Sequence, residues 1–207
     1  MAPRSSERLG VTVACSVVHT DWPTLLSPER PTMNVPVIET DRLTLRGHRL
    51  DDFDALAAMW GDPEVARFIG GKPSTREESW ARLLRYAGHW HLLGFGYWAV
   101  ELKEDARFVG DVGFANWQRD ITPSLTGMPE GGWVFSSGTH GRGVASEAVQ
   151  AALGWMDKQF GGQTTTCIVG VENIASIRVA EKCGFREFTR GEFKGSAVVQ
   201  FRRYFGR

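Results

Sequence analysis

The sequence predicts a single mixed α/β domain built around one sheet and preceded by an N-terminal extension. Segments with the two-residue alternation of half-buried strands are interspersed with segments of helical periodicity, so one chain supplies both kinds of element. Of the 207 residues 42% are hydrophobic, which is enough for a sizeable core and more than a disordered chain carries. Residues 1–35 contain prolines and little periodicity, and we assign them to the extension and residues 36–207 to the domain.

The first half of the domain is predicted to contain one strand and three helices. The segment VIETDRLTLR alternates and is predicted to be a strand. A helix is expected over DDFDALAAMW, capped by Asp51 or Asp52, and a short second helix follows from Asp62-Pro63-Glu64. The pair Ser74-x-x-Glu77 is typical of a capping box and predicts a third helix.

The second half is predicted to be richer in strands. Residues 95–102 and 107–116 form a predicted hairpin, and GGWVFS is a further strand. After a glycine-broken turn comes a long helix, followed by the strand TTTCIVGV, the helix NIASIRVAEKCG and strands over 185–191 and 197–204. One face of the long helix is predicted to be buried by six residues: Ala145, Ala148, Val149, Ala152, Trp155 and Met156.

Charge and cysteine content exclude several functional classes. The 24 basic and 24 acidic residues cancel, so no global field favours nucleic acid or an anionic membrane. The longest apolar run spans about ten residues, whereas a membrane-spanning helix needs about 20. The cysteines Cys15, Cys167 and Cys183 have neither disulfide nor metal-ligand spacing. We therefore expect a cytoplasmic protein without a metal, a membrane anchor or a nucleic-acid partner.

The most informative segment is the turn before the long helix, Gly138-Thr139-His140-Gly141-Arg142-Gly143. Glycines directly before a helix allow a ligand to approach the backbone, and the unpaired N–H groups and helix dipole favour phosphate. The turn lacks the spacing of a P-loop or of a dinucleotide fingerprint. It either binds a diphosphate or needs its glycines for steric reasons alone.

A second motif lies about 30 residues further along the chain and gives the first one a context. It runs N-x-x-S-x-x-x-x-E-K-x-G-F from Asn173 to Phe185, and the turn His140–Ala145 matches Q/R-x-x-G-x-G/A except that His140 replaces Gln or Arg. Together with the opening VIETDRLTLRGHRLDDFDAL, the two motifs resemble the GNAT acyltransferase superfamily, specifically its ribosomal-protein N-acetyltransferase branch. The resemblance covers residues 37–204.

The resemblance implies a fold, a co-substrate and a reaction. The fold would be a central mixed, mostly antiparallel sheet, splayed where coenzyme A enters and flanked by helices. The reaction would be transfer of an acetyl group from acetyl-CoA to a primary amine, by direct attack in a ternary complex. Carried over residue by residue, the family's CoA-binding positions are Val134, Phe135, Ser136, His140, Gly141, Arg142, Gly143, Val144, Ala145, Ser146, Asn173 and Ser176.

The catalytic roles are less determined than the CoA site. The family implies backbone N–H groups of Val134 to Ser136 as donors to the oxyanion. Glu130 is our candidate for the group that takes the amine proton, with Asp111 as the rival base. Ala180 stands where many GNAT enzymes have a tyrosine that protonates the thiolate, so Ser176 becomes the candidate by resemblance.

Several alternatives stay open at this stage. Asn173 either binds the pantetheine arm or only caps its helix, and Ser176 either acts near the sulfur or packs on the sheet. We place Trp117, Met128 and Glu130 in the acceptor pocket, where an acidic floor would favour polycations and an apolar groove would favour peptides. The acceptor is a protein N-terminus or a small amine. A homodimer and a non-catalytic acyl-CoA-binding or sensor module are further possibilities.

Overall fold

The computed structural model describes residues 34–205, which form an eight-stranded sheet and five α-helices. The strand order is β1-β2-β3-β4-β5-β6-β8-β7, and every neighbouring pair is antiparallel except β5 and β6. The mixed, mostly antiparallel sheet predicted from the sequence is therefore confirmed. The strands are β1 Ile38–Glu39, β2 Leu43–Arg46, β3 Tyr97–Leu102, β4 Phe108–Ala115, β5 Glu130–Phe135, β6 Thr165–Gly170, β7 Arg186–Phe193 and β8 Ser196–Arg203. The helices are α1 Phe53–Gly61, α2 Pro63–Ala66, α3 Arg76–Leu93, α4 Val144–Phe160 and α5 Ile174–Lys182.

The start of the domain differs from its prediction as one strand. β1 and β2 form a short hairpin, closed by the N–H of Thr40, which donates to the carbonyl of Leu43 at 3.0 Å. The Asp41-Arg42 turn breaks the alternation, and the fully buried Leu43 starts a new strand. Val35, on the extension side of the boundary predicted at residue 35, packs against the core. The rest of the predicted extension, residues 1–33, lies outside the described residues.

Two helix caps also differ from the predictions. Asp52 precedes α1, but its carboxylate accepts hydrogen bonds from Arg46 and from the N–H of Arg49 instead of capping the helix. The capping box of α3 lies one residue later than predicted and joins Thr75 with Glu78. The offset follows from the helix starting at Arg76, which makes Glu78 the third helical residue.

Helices cover both faces of the sheet. Val134 and Phe135 are consecutive on β5 and therefore point to opposite faces. Phe135 belongs to the larger core cluster, to which α4 and α5 contribute, whereas Val134 packs in the cluster formed with α1 and α3. The buried face predicted for α4 is confirmed, with Ala148, Val149, Ala152 and Met156 almost inaccessible and Ala145 and Trp155 partly buried.

The sheet splays between its two parallel strands. β5 and β6 are paired at a single position, Glu130 opposite Thr166, and the N–H of Thr166 donates to the carbonyl of Pro129 at 3.0 Å. Both strands continue for several residues beyond that pair without further pairing to each other, so a gap opens toward their C-terminal ends. α4 and α5 both begin beyond that open edge.

Within residues 34–205 no helix is long and apolar enough to cross a membrane.

Candidate active site

A cavity of about 910 Å³ lies beside the splayed strands. β5 contributes Glu130 to Val134 and β6 contributes Cys167 to Gly170. The other walls come from the segment after α2, from α3, from the start of α5 and from the β7–β8 turn. The cavity thus brings together segments that lie far apart in the sequence. Among the predicted site residues, it is lined by Trp117, Glu130, Val134, Asn173 and Ser176.

Glu130 is buried at the edge of this cavity and is held by an arginine. Its side chain is 8% exposed, and both carboxylate oxygens accept hydrogen bonds of 2.6 Å from Arg119. Burial raises the pKa of Glu130 above the usual 4.5, and the hydrogen bonds and charge of Arg119 offset that rise only in part. A carboxylate with a raised pKa is a better proton acceptor than an ordinary surface glutamate.

Asp111, the rival base, is outside the cavity. It is fully buried and accepts hydrogen bonds from the His48 ring nitrogen Nε2 at 2.8 Å and from the Trp60 indole at 3.1 Å. It does not line the cavity described above. Of the two candidate bases, Glu130 is therefore the one that lines the cavity, whereas Asp111 is bonded within the core.

The backbone of β5 offers donors only at alternate residues. The N–H of Ser136 donates to the carbonyl of Val109 on β4 at 2.9 Å, so it is already used. The N–H groups of successive residues point to opposite sides of a strand. The N–H of Val134 therefore also points toward β4, whereas the N–H groups of Trp133 and Phe135 point into the gap toward β6. Of the three positions predicted as oxyanion donors, the N–H of Phe135 alone is directed into the gap.

The turn before α4 has the geometry required of an anion cradle. Gly141 and Gly143 adopt φ angles of 74° and 77°, in the left-handed region that favours glycine. No side chain caps α4, and within the described residues the N–H groups of Val144, Ala145 and Ser146 have no acceptor. Three adjacent free N–H groups at a helix N-terminus, with the dipole behind them, are suited to a diphosphate. The turn therefore fits the part of acetyl-CoA that the resemblance assigns to it.

The turn is fixed from two sides. Ser137 donates to Asp62 at 3.0 Å, which ties the turn to the start of α2. On the other side Glu147, in the first turn of α4, accepts hydrogen bonds from the Arg42 side chain at 2.7 Å, and Arg42 also binds the carbonyl of Arg142 at 2.9 Å. Glu147 therefore faces the β1–β2 turn. These contacts orient the helix N-terminus before any ligand binds.

Two side chains of the predicted CoA-binding set, those of His140 and Arg142, lie at the surface. His140 is exposed, and its ring nitrogen Nε2 is 3.1 Å from the carbonyl of Phe135, which fixes the ring against the end of β5. Arg142 is exposed, and its carbonyl accepts the hydrogen bond from Arg42. Their structural contribution differs: His140 supports the turn, and Arg142 is available to an anion.

The second motif lines the other side of the cavity. The Asn173 Oδ1 atom caps α5 by accepting a hydrogen bond from the N–H of Ser176 at 3.1 Å, which leaves the amide NH₂ outside the cap. Ser176 is partly buried and lines the cavity. Ala180 is fully inaccessible within the core, so the side chain at the position of the family's tyrosine does not reach the site.

The three residues placed in the acceptor pocket lie close together. Trp117 and Glu130 line the large cavity, and together with Met128 they also line a second, small pocket. Met128 packs in addition against the cluster formed by Ile121, Leu125 and Val198.

Several cavity residues were not identified from the sequence. Tyr97 on β3 places its hydroxyl against β5, and a Cβ atom at Gly132 would lie 2.0 Å from it. From α3 come Arg82, Arg85 and Tyr86. Their spacing of three and four residues places them on one helix face, and this periodicity is the signal that sequence reasoning had available. Among the described residues no group of three or more His, Cys, Asp or Glu side chains is placed to hold a metal ion.

Comparisons with known proteins agree with this geometry. Residues 42–186 match the family model described as an acetyltransferase (GNAT) domain. The chain is 28% identical to the Bacillus licheniformis protein named uncharacterized N-acetyltransferase p20, over 72% of this chain and 81% of that protein. The crystal structure of an acetyltransferase from Agrobacterium tumefaciens superposes with a TM-score of 0.70 at 26% identity, over 86% of this chain and 99% of that one.

A more distant structure shares the fold. The spermidine N-acetyltransferase of Vibrio cholerae, solved with CoA and spermine, gives a TM-score of 0.64 at 19% identity, over 80% of this chain and 97% of that one. The family match covers most of the described chain and includes β5, the turn, α4 and α5. The chain therefore belongs to the GNAT acetyltransferase family.

Proposed function

We propose that the protein transfers an acetyl group from acetyl-CoA to a primary amine by direct attack within a ternary complex. One observation carries this proposal: β5, which separates from β6, contributes Glu130 to Val134 to the cavity and leads at its C-terminal end into the turn before the uncapped N-terminus of α4. The first feature suits a diphosphate and the second suits an amine. Bound acetyl-CoA would supply the thioester, and the protein would hold both reactants at the gap.

The residues of the chain then have defined tasks. The amine nitrogen forms a bond to the acetyl carbon, and the carbon–sulfur bond breaks with its electron pair remaining on sulfur. Glu130 takes the proton that the amine loses, directly or through water, and the N–H of Phe135 donates to the carbonyl oxygen as negative charge develops there. Ser176 is proposed to donate a hydrogen bond to the departing sulfur. The free thiol has a pKa of about 8.5, so the thiolate needs no strong acid and takes its proton from water.

The acceptor class within this proposal is a protein N-terminus or a small amine. An α-amino group has a pKa of about 8 and a lysine amine about 10.4, so the α-amino group needs less help to become neutral at pH 7. The motif from Asn173 to Phe185, which resembles the ribosomal-protein branch, supports the N-terminal acceptor. The free thiols of Cys167 and Cys183 fit a reducing compartment such as the cytoplasm. The exposed edge strand β7 supports a homodimer as a further proposal.

The test combines binding and turnover on the full chain. Acetyl-CoA is titrated calorimetrically, and thiol release is then followed with a panel of primary amines and peptides, with acetylated products identified by mass spectrometry. We expect binding and amine-dependent thiol release. Binding without release above the rate in the absence of protein would instead support the non-catalytic acyl-CoA-binding module. Failure to bind acetyl-CoA would contradict the cradle assignment.

A further inference from the structure

The cavity beside Glu130 carries an excess of positive charge that the molecule as a whole lacks. Within the described residues its lining includes five cationic side chains and two carboxylates, Glu130 and Glu172. The whole chain, by contrast, has 24 basic and 24 acidic residues. Both carboxylate oxygens of Glu130 already bind Arg119, so Glu130 is not an ion-pair partner of the other basic side chains. The five cationic residues are Arg67, Arg82, Arg85, Arg119 and Lys194.

Arg82 is the most informative of these residues, because it is half-buried without a carboxylate partner. Its guanidinium lies 3.5 Å above the Trp60 ring and is 3.3 Å from the Ser74 hydroxyl. In the described part of the chain no carboxylate oxygen comes within 4.0 Å of its nitrogens. Asp111 and Glu78 attract it only at longer range. A guanidinium partly removed from water is normally paired with an anion, so the absence of such a pair points to a ligand.

Arg85 lies one helical turn further along α3 and is positioned by an aromatic ring. Its guanidinium is 4.8 Å from the centre of the Trp117 ring, and Arg119 lies 5.4 Å from the centre of the same ring. Stacking on a ring fixes the guanidinium plane and leaves its N–H edge free to bind oxygen atoms in pairs. Within residues 34–205, Arg85 also has no carboxylate within 4.0 Å.

The ring of Trp117 is contacted by both Arg85 and Arg119, and Arg119 binds the candidate base Glu130. Arg82, Arg85 and Glu130 line the same cavity. A molecule with its amine near Glu130 can therefore place an anionic group at α3. A polycation in the same position would meet Arg82 and Arg85 and be repelled.

We infer that the amine acceptor carries an anionic group, a carboxylate or a phosphate, which binds Arg82 and Arg85 while its amine reaches Glu130. This inference rests on the proposed acetyl transfer. It goes beyond that proposal by naming the chemical class of the acceptor. Neither the acidic floor expected for a polycation site nor a purely apolar groove describes the cavity, because its side chains combine aromatic rings with arginines.

The experiment compares acceptors that differ in charge and little else. Three matched pairs are used: 2-aminoethyl phosphate with ethanolamine, L-aspartate with L-asparagine, and a short peptide beginning with aspartate with one beginning with asparagine. Spermidine is the cationic reference. We expect kcat/KM for the anionic member of at least one pair to exceed that of its neutral partner about tenfold or more, as charge-assisted hydrogen bonds predict. Comparison of the pairs identifies the phosphate, free amino acid or peptide source.

The variants test whether the two arginines carry this preference. Arg85 is exposed, so Arg85→Gln is expected to fold, and Arg82→Lys keeps a charge at the half-buried position. Arg85→Gln should reduce the ratio of anionic to neutral kcat/KM about tenfold. It should leave the affinity for acetyl-CoA unchanged. Arg107→Gln is the matched control, because Arg107 is an exposed residue in the turn after β3 and does not line the cavity.

Each outcome decides the inference. Equal or faster turnover of neutral amines or spermidine would overturn it while leaving acetyl transfer intact, as would a ratio unchanged in Arg85→Gln and Arg82→Lys. If no amine is acetylated, the proposed function fails. Calorimetric titration of 2-aminoethyl phosphate and ethanolamine in the presence of CoA then decides the binding preference on its own. Equal or absent binding of 2-aminoethyl phosphate would also overturn the inference.

Discussion

Glu130 shows how one residue is prepared for proton transfer by two opposing influences. Burial at the edge of the cavity raises its pKa, and Arg119 lowers it by binding both oxygens. The net result is a carboxyl group with a raised pKa, which makes its ionised form more basic than a surface glutamate. The arginine also fixes the carboxylate in one orientation, which a general base requires.

We expect the pH profile of kcat/KM to report on Glu130. The ionised form accepts the proton, so activity should fall as the pH drops through the raised pKa, above the ordinary 4.5. Glu130→Gln should lower kcat about 10²-fold to 10⁴-fold and remove this acid limb. In Arg119→Gln the fall in activity should occur at a higher pH, because the hydrogen bonds and the positive charge that lower the pKa of Glu130 both come from Arg119.

The matched control for this prediction is Arg190→Gln. Arg190 forms an exposed ion pair with Glu187 and does not line the cavity. Its profile should coincide with that of the unchanged protein. An acid limb that persists in Glu130→Gln, or that stays in place in Arg119→Gln, would show that another group accepts the proton.

At the scale of elements, the turn before α4 depends on its backbone conformation more than on its side chains. Ser137 and Arg42 hold it in place, while Gly141 and Gly143 supply the two left-handed residues that end it at the helix. Placing a residue with a Cβ atom in the left-handed conformation costs roughly 1 kcal/mol of folding free energy. If the backbone of the turn moved to relieve this strain, the N–H groups in the first turn of α4 would move as well.

We expect Gly143→Ala to lower the free energy of unfolding by about 1 kcal/mol and to weaken acetyl-CoA binding. Urea unfolding and calorimetric titration measure the two effects. Gly138→Ala is the matched control, since Gly138 lies in the same turn without a positive φ, and its Cβ would meet nothing within 4 Å. Unchanged acetyl-CoA affinity in Gly143→Ala, or an equal loss in Gly138→Ala, would contradict the assignment of the turn as a cradle.

The whole molecule is stabilised by a buried charge cluster away from the cavity. Arg46 on β2 binds Asp52 through two hydrogen bonds of 2.6 and 2.8 Å and also contacts Glu101 on β3. Both Arg46 and Asp52 are 7% exposed. Burial alone would raise the pKa of Asp52, but hydrogen bonds from Arg46 and the N–H of Arg49 lower it below the usual 3.8. The cluster joins the strands to the start of α1.

Removing the arginine should unfold the molecule more easily and change its acid sensitivity. Arg46→Met leaves two buried carboxylates unpaired, and we expect a loss of about 3–5 kcal/mol in the free energy of unfolding at pH 7. The contribution of Asp52 is present above pH 3.8 and is lost as the pH falls toward its lowered pKa. Denaturant curves from pH 7 to pH 2 should therefore show a smaller acid loss in the variant.

Arg107→Met provides the comparison, because Arg107 and Asp105 form an exposed pair in a turn. Its effect should be much smaller, as expected of a solvated ion pair. An equal loss in the two variants, or an unchanged acid dependence in Arg46→Met, would show that the buried cluster does not determine the acid stability.

The sequence alone determined the order and type of most elements, and the opening segment together with the two later motifs was sufficient to indicate the family. Such features depend on local spacing: glycines before a helix, an asparagine cap, and alternating apolar residues. Caps were misplaced where neighbouring residues offer the same chemistry, as Ser74 and Thr75 do. Local patterns cannot choose between adjacent equivalent groups.

The tertiary structure alone decided which residues share the site. Arg82 and Arg85 on α3, Arg119 in a loop and Glu130 on β5 come together because helices pack on a sheet whose parallel pair separates. Met128 packs against Ile121, Leu125 and Val198 and also lines a small pocket with Trp117 and Glu130, because the packing of neighbouring elements fixes the direction of a loop side chain. Periodicity encodes what a segment forms, whereas the charge and shape of a cavity arise only when distant segments meet.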